Sequence, residues 1–314
     1  MNGTDVKSVW RVVALVVMML TSLPAPAAPG VHLVLSDYTR QYQQVAAAIA
    51  THLDSHHPDV EVVTRLADES AGVDRDDLVV SIGTRASELS YRRPVGAGQL
   101  AIFVTETGWL DIVDRHPGRT PKAVIFMDQP VDNYVALAKV LAPEARRYGA
   151  LLGPVSARHR QRLQAQVAAA GGQLVYDFID THSNPLQVLG PLMDNADLFL
   201  ALPDQEVINR NIAQWVLHLG FKMKIPVFGF SQAYTQAGAA ASLFTSPADI
   251  SRQAIRWLEA YLAGGDENLW RSHPPDSFTI AINPSVSRTL GLPAMDDDSL
   301  RRAVEQRLGA RPLP

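Results

Sequence analysis

Short apolar runs recur along the chain, and between many of them apolar residues fall three or four positions apart. Runs at 31–35, 60–63, 78–82, 100–104 and 123–127 predict five strands. After the first of these, Tyr42, Val45, Ala46, Ile49 and Leu53 share one helical face. Further runs at 148–152, 174–179, 198–202, 225–230 and 239–244 predict five more strands. Tyr134, Leu137, Ala138 and Leu141 form an apolar helical face ahead of that second set. Ile208, Ile212, Trp215, Val216 and Leu219 form another within it, and Gly220 reads as the helix stop. Strands alternating with helices predict parallel sheets with right-handed crossovers.

Asp128-Gln129-Pro130 reads as a crossing from one group of strands to the next. Ser246-x-x-Asp249, with Pro247 at the first helical position, is a capping box. The helix it opens carries Ile250, Ala254, Trp257, Leu258 and Tyr261, stops at Gly264-Gly265, and reads as the return to the first group. A strand at 278–282 near the hinge and a polar helix at 299–308 complete the chain. The expected organisation is α/β: two doubly wound parallel-sheet lobes joined by a multi-crossover hinge. Residues 28–128 with 246–314 would form the N-terminal lobe, and residues 129–245 the C-terminal lobe.

The N-terminus changes the setting. Lys7 and Arg11 precede an apolar run at 12–20, and Ala25-x-Ala27 follows. A basic region, a short apolar core and a small-residue site predict a cleaved Sec-type signal peptide over 1–27, hence a periplasmic protein. The apolar run is too short to span a bilayer. With 314 residues, 47% of them hydrophobic, the chain can build two cores. A net charge of −4 and a pI near 6.1 give no basic field for nucleic acid. The absence of cysteine excludes disulfides, thiolate metal sites and a lipidated cysteine anchor.

Polar residues gather where strands end, and in open parallel sheets ligands bind beyond the carboxyl ends of the strands. On the first lobe the candidates are Gly83 and Thr84, Ser36 and Asp37, and Thr105 with Glu106. Gly83 and Thr84 open a helix whose unpaired amides suit a carboxylate, although an ordinary cap has the same appearance. On the second lobe they are Ser156, Asp204, Ser231 and Tyr234. Asp204 also reads as the cap of a helix over 206–220, and one of its oxygens would remain for a ligand ammonium. Tyr234, in a small-residue turn, is placed either to stack on a ligand or to pack. His52 and His56 sit four apart beside His57, a spacing that can serve a metal, but no metal site is expected. P-loop, zincin and nucleophile-elbow patterns are missing, so neither an enzyme nor a cofactor is expected.

The segments LALPDQEVINRNI, KIPVFGFSQAYTQAGAAAS and PADISRQA resemble the solute-binding proteins of ABC transporters, in the group that includes tryptophan- and tyrosine-type binders. Upstream, FMDQPVDNYVALAKVLAPEARRYGALLGPVS is similar to the same family, as is FTIAINPSVSRTLGLP near the end. The resemblance implies a type I periplasmic binding protein fold, a small solute in the cleft (amino-acid-like or aromatic) and delivery to an ABC permease. It also implies that Asp204 and Asn209 lie in the segment facing ligand. The sequence departs from many relatives at 105–109, where a longer Asp-Pro loop is common. A monomer is expected. The alternative from another class is a periplasmic ligand-sensing or interaction module working with a membrane receptor or sensor kinase.

Overall fold

A computed structural model describes residues 30–69, 73–92, 96–117, 122–179, 184–204, 210–265 and 267–309. The expected signal peptide and Asn209 lie outside them.

The first sheet contains β1 (Val31–Leu35), β2 (Val62–Leu66), β3 (Leu78–Ile82), β4 (Gly98–Val104), β5 (Lys122–Phe126) and β11 (Ser272–His273), in the order β11-β5-β4-β3-β1-β2 and parallel throughout. The second contains β6 (Arg147–Leu152), β7 (Gln173–Phe178), β8 (Leu198–Leu200), β9 (Val227–Gly229), β10 (Ala241–Phe244) and β12 (Thr279–Ile282), in the order β12-β10-β9-β8-β6-β7. Every residue of β1, β3 and β4 is buried, as a sheet covered by helices on both faces requires.

On one face of the first sheet lie α1 (Arg40–His56) and, from much later in the chain, α9 (Pro247–Leu262). Ile250, Ala254, Trp257 and Leu258 of α9 join Val45, Ile49 and Leu53 of α1 in one apolar core. At its rim Glu259 accepts from His52 Nε2 at 2.6 Å and His57 Nε2 at 2.9 Å, so these histidines fasten α9 to α1. Those two hydrogen bonds hold the Glu259 carboxyl below its usual range. The other face carries α2 (Thr84–Arg92) and α3 (Glu106–Arg115).

The second sheet is covered on one side by α4 (Val131–Leu141), α5 (Arg160–Ala169) and α11 (Asp297–Gly309). On the other side lie α6 (Pro185–Asp194), α7 (Arg210–Met223) and the short α8 (Gln232–Ala237), and α10 (Pro284–Thr289) follows β12. Gly220 does not stop α7, which runs on to Met223. A Cβ there would stand 2.6 Å from Val227 Cγ2, so this glycine lets α7 lie close against β9. The stop comes at Lys224, left-handed at φ 58°, with the Ile225 amide donating back to the Gly220 carbonyl at 2.8 Å.

The expected lobe boundary needs a correction at the C-terminal end. The chain returns to the first sheet through α9 and β11, but from Phe278 onward it belongs with the second. β12 pairs with β10, and Phe278, Leu300 and Val304 are buried with Tyr134 and Leu137. The reason is geometric. The chain leaves β11 at the carboxyl end and has no helix to carry it to the far side of the second sheet. It can therefore pair only antiparallel, as β12 does.

The sheets are joined by three crossings: after β5, after β10 and after β11. Gln129 ties them together. Its Nε2 donates to Thr245 Oγ1 and to the Ser277 carbonyl, both at 2.8 Å. Thr245 Oγ1 donates to the Met127 carbonyl at 2.7 Å. Beside this knot Ser246 and Asp249 close the expected capping box. The buried Asp249 carboxylate accepts further bonds from Thr279 Oγ1 at 2.6 Å, from Arg252 and from Ser277 Oγ at 3.4 Å.

Candidate functional site

Beyond the carboxyl ends of both sheets lies a cleft of about 580 Å³, with the crossings at its floor. The first sheet contributes Thr84 from the start of α2, the first turns of α3, and Phe126 and Asp128 at the end of β5. The second contributes Val155, Ser156, His159 and Arg162 around the start of α5, and Leu202-Pro203 after β8. Gln129, Tyr134 and Pro274 line it as well.

Four residues singled out from the sequence line this cleft: Thr84, Thr105, Glu106 and Ser156. Thr105 caps α3, its hydroxyl accepting the Gly108 amide at 3.1 Å, and Glu106 lies in the first turn, where a carboxylate suits the helix dipole. Ser156 sits in a 3₁₀ turn, 2% exposed. Its Oγ accepts the Gly153 amide at 2.9 Å and donates to Asp204 Oδ2 at 2.8 Å, so its proton is committed.

The others are not among the residues lining it. Ser36 Oγ accepts the Ala86 amide at 2.9 Å and so serves the first turn of α2. Gly83 adopts φ +92°, where a Cβ would lie 2.6 Å from Ser36 Oγ and 2.8 Å from the Tyr42 ring. It is glycine for backbone reasons. Asp37 accepts the Thr39 amide at 2.7 Å in the turn before α1. Ser231 caps α8 through the Tyr234 amide. Tyr234 is 7% exposed, packed in the core beside Phe230 at 5.1 Å between ring centroids, and burial pushes its hydroxyl well above the usual range. Asp204, 2% exposed, supports the cleft wall from beneath: Oδ2 accepts both the amide and the hydroxyl of Ser156, at 2.9 and 2.8 Å. Its Oδ1 is buried without a hydrogen bond among the described residues.

Asp128 was missed as a cleft residue because Asp128-Gln129-Pro130 reads as a linker. The rule that polar groups at strand ends face ligand would have found it, directly after β5. One of its oxygens accepts the Glu106 amide at 2.5 Å. Burial, with the Glu106 charge adding to it, pushes the Asp128 carboxyl up to about 6. Tyr134 beside it is fully buried, its hydroxyl raised first by burial and then by the Asp128 charge. His159 and Arg162 carried no legible signal, because basic residues early in a helix usually face solvent.

Among the described residues, no cluster of three or more histidine or acidic side chains is arranged to hold a metal ion, and no helix is long and apolar enough to cross a membrane.

Two α/β sheets facing each other across a cleft floored by crossings define a type I periplasmic binding protein fold. The chain belongs to the ABC transporter substrate-binding protein family, whose model matches residues 53–306. That family is a solute-binding, non-catalytic class of extracellular or periplasmic proteins. A ligand-free, open substrate binding protein with adhesive properties from Clostridium difficile is similar at a TM-score of 0.68 and 15% identity, covering 86% of this chain and 97% of that one. A conserved domain protein from Vibrio cholerae is similar at 0.57 and 17%, covering 87% and 98%. An ABC domain from Streptococcus pneumonia in complex with L-Trp gives 0.55 and 16%, covering 87% and 98%. At such identities these structures show a shared fold. No curated protein matches the chain.

Proposed function

We propose that the protein is exported by its first 27 residues, captures a small solute in the cleft and delivers it to an ABC permease. The observation that carries this reading is the cleft of about 580 Å³ lined from both sheets, a size suited to a small molecule. The crossings at its floor are few and tied to one another, as a hinge requires, so the walls can approach as rigid bodies. Guest binding would favour the closed state through contacts made to both walls at once. Thr84, Thr105, Glu106 and Asp128 are the contacts expected from the first lobe, and the Ser156 turn with His159 from the second.

The ligand class carried over from the resemblance is a small amino-acid-like or aromatic molecule, and Phe126 and Tyr134 supply aromatic lining. Isothermal titration of the folded, mature protein against amino acids, amines, sugars and polyols is expected to find at least one ligand binding at micromolar or tighter affinity. A folded protein that binds no member of such a panel contradicts the proposal.

A further inference from the structure

The charges lining the cleft are unevenly matched. Its two arginines are already engaged by carboxylates that do not line it. Arg115 Nη1 donates to Glu88 Oε1 at 2.6 Å, while its Nε donates to the Asp111 carbonyl. Arg162 donates to both oxygens of Asp132, at 2.9 and 3.3 Å. Glu106, Asp111 and Asp128, all cleft-lining, form no ion pair with any described residue. Asp128 is the most withdrawn from water of the three, and it holds only neutral backbone donors, the amides of Glu106 and of Asp128 itself, while the Glu106 carboxylate repels it. A half-buried carboxylate beside a second one is unfavourable until a cation arrives.

We infer that the guest carries a positively charged group, an ammonium or amidinium, which seats against Asp128 with Glu106 and Asp111 beside it. This rests on the solute-capture reading and specifies its ligand. The positive group would find the carboxylate charge at the floor of the cleft, and the half-buried Phe126 lines the same space, suiting a cation by attraction to an aromatic ring. The rest of the guest would meet the second wall, where the Arg162 charge is taken up by Asp132.

The pH dependence follows with a definite sign. With its carboxyl raised to about 6, Asp128 is ionised above that pH and loses its charge below it. The titratable and charged groups around it are Glu106, Asp111 and Arg115 on α3, Tyr134 on α4, and His159 and Arg162 on the facing wall. Replacement of Asp128 separates its own part in the pH response from that of these neighbours.

The test uses isothermal titration of the mature protein at pH 7.5 and pH 5.0 with small primary amines, amino acids among them, each paired with its N-acetylated counterpart. At least one amine is expected to bind, and its acetylated partner to bind at least roughly tenfold more weakly. From pH 7.5 to 5.0 its affinity is expected to fall about tenfold, as the ionised fraction of Asp128 drops to about a tenth. Asp128→Asn, which keeps an oxygen acceptor for the Glu106 amide, is expected to weaken the amine by tenfold or more at pH 7.5 and to flatten the pH response. Glu106→Gln gives a second, smaller loss and serves if the first variant does not fold. Equal binding of amine and acetylated partner, or of amine by the wild type and the variants, overturns the inference. Binding confined to neutral sugars or polyols also overturns it while leaving solute capture intact. No binding by any solute overturns both.

Discussion

Asp249→Ala is expected to lower the unfolding free energy by about 2–4 kcal/mol, from the loss of a helix cap together with hydrogen bonds to a buried carboxylate. The side chain is 2% exposed. One oxygen accepts from the Ser246 amide at 2.9 Å, the Ser246 hydroxyl at 2.7 Å and the Thr279 hydroxyl at 2.6 Å, and Arg252 and Ser277 reach the other. Alanine removes the capping box of α9 and severs the link between that helix and β12, so one substitution loosens both sheets where they join. The part-buried Ser246 and Thr279 hydroxyls lose their acceptor, which adds to the cost, while the exposed Arg252 guanidinium returns to water. Urea unfolding followed by circular dichroism measures the difference, and a loss below about 1 kcal/mol would contradict the assigned role.

The same residue sets the acid limb of stability. Burial alone would raise the Asp249 carboxyl, but the bonds from Thr279 and Ser246 and the Arg252 charge outweigh it and hold the carboxyl below its usual range. A depressed carboxyl stabilises the folded state above the unfolded-state value of about 3.8 and loses that contribution as pH falls through the folded value. The gap between wild type and Asp249→Ala is therefore expected to be full at pH 5–7 and to narrow below about pH 4.

Asp204 gives the second large effect, with a built-in control. Asp204→Ala removes the acceptor for both the amide and the hydroxyl of the buried Ser156, at an expected cost of about 2–4 kcal/mol. Asp204→Asn should behave differently. An asparagine oxygen can take over the two bonds from Ser156, and the charge that leaves Oδ1 buried without a partner among the described residues disappears. This variant is expected to lie within about 1 kcal/mol of the wild type in unfolding midpoint experiments. Because the Ser156 turn forms part of the second cleft wall, solute affinity should fall in the alanine variant and persist in the asparagine one. Equal destabilisation by both would mean that the charge itself matters.

Much of the fold was legible from local pattern. β1 and β3, apolar but for His32 and Ser81, sit where both faces of a sheet are covered, and the Ser246-Pro247-x-Asp249 box opens α9 as its chemistry requires. Pairing was less legible. β11 is only Ser272–His273, a polar pair with no apolar signal, and its place against β5 depends on partners far away in sequence. The strand at Thr279–Ile282 was visible as a strand, but no local pattern says which sheet takes it.

The site divides in the same way. Thr84, Thr105, Glu106 and Ser156 follow from the strand-end rule, and all four line the cleft. That rule cannot tell a side chain pointing outward from one folded back. Tyr234 turns beneath Phe230 into the core, and the Ser36 hydroxyl is used by the Ala86 amide. Asp128 obeys the rule, yet it was hidden in a tripeptide that also marks a crossing.

Hydrogen–deuterium exchange with and without the tightest ligand from the titration panel most directly tests capture between two walls. Simultaneous slowing is expected in the first turns of α3, residues 105–111, and in the Ser156–Arg162 segment of the facing wall, because closure buries both. Slowing confined to one wall, or located away from the cleft, would contradict it.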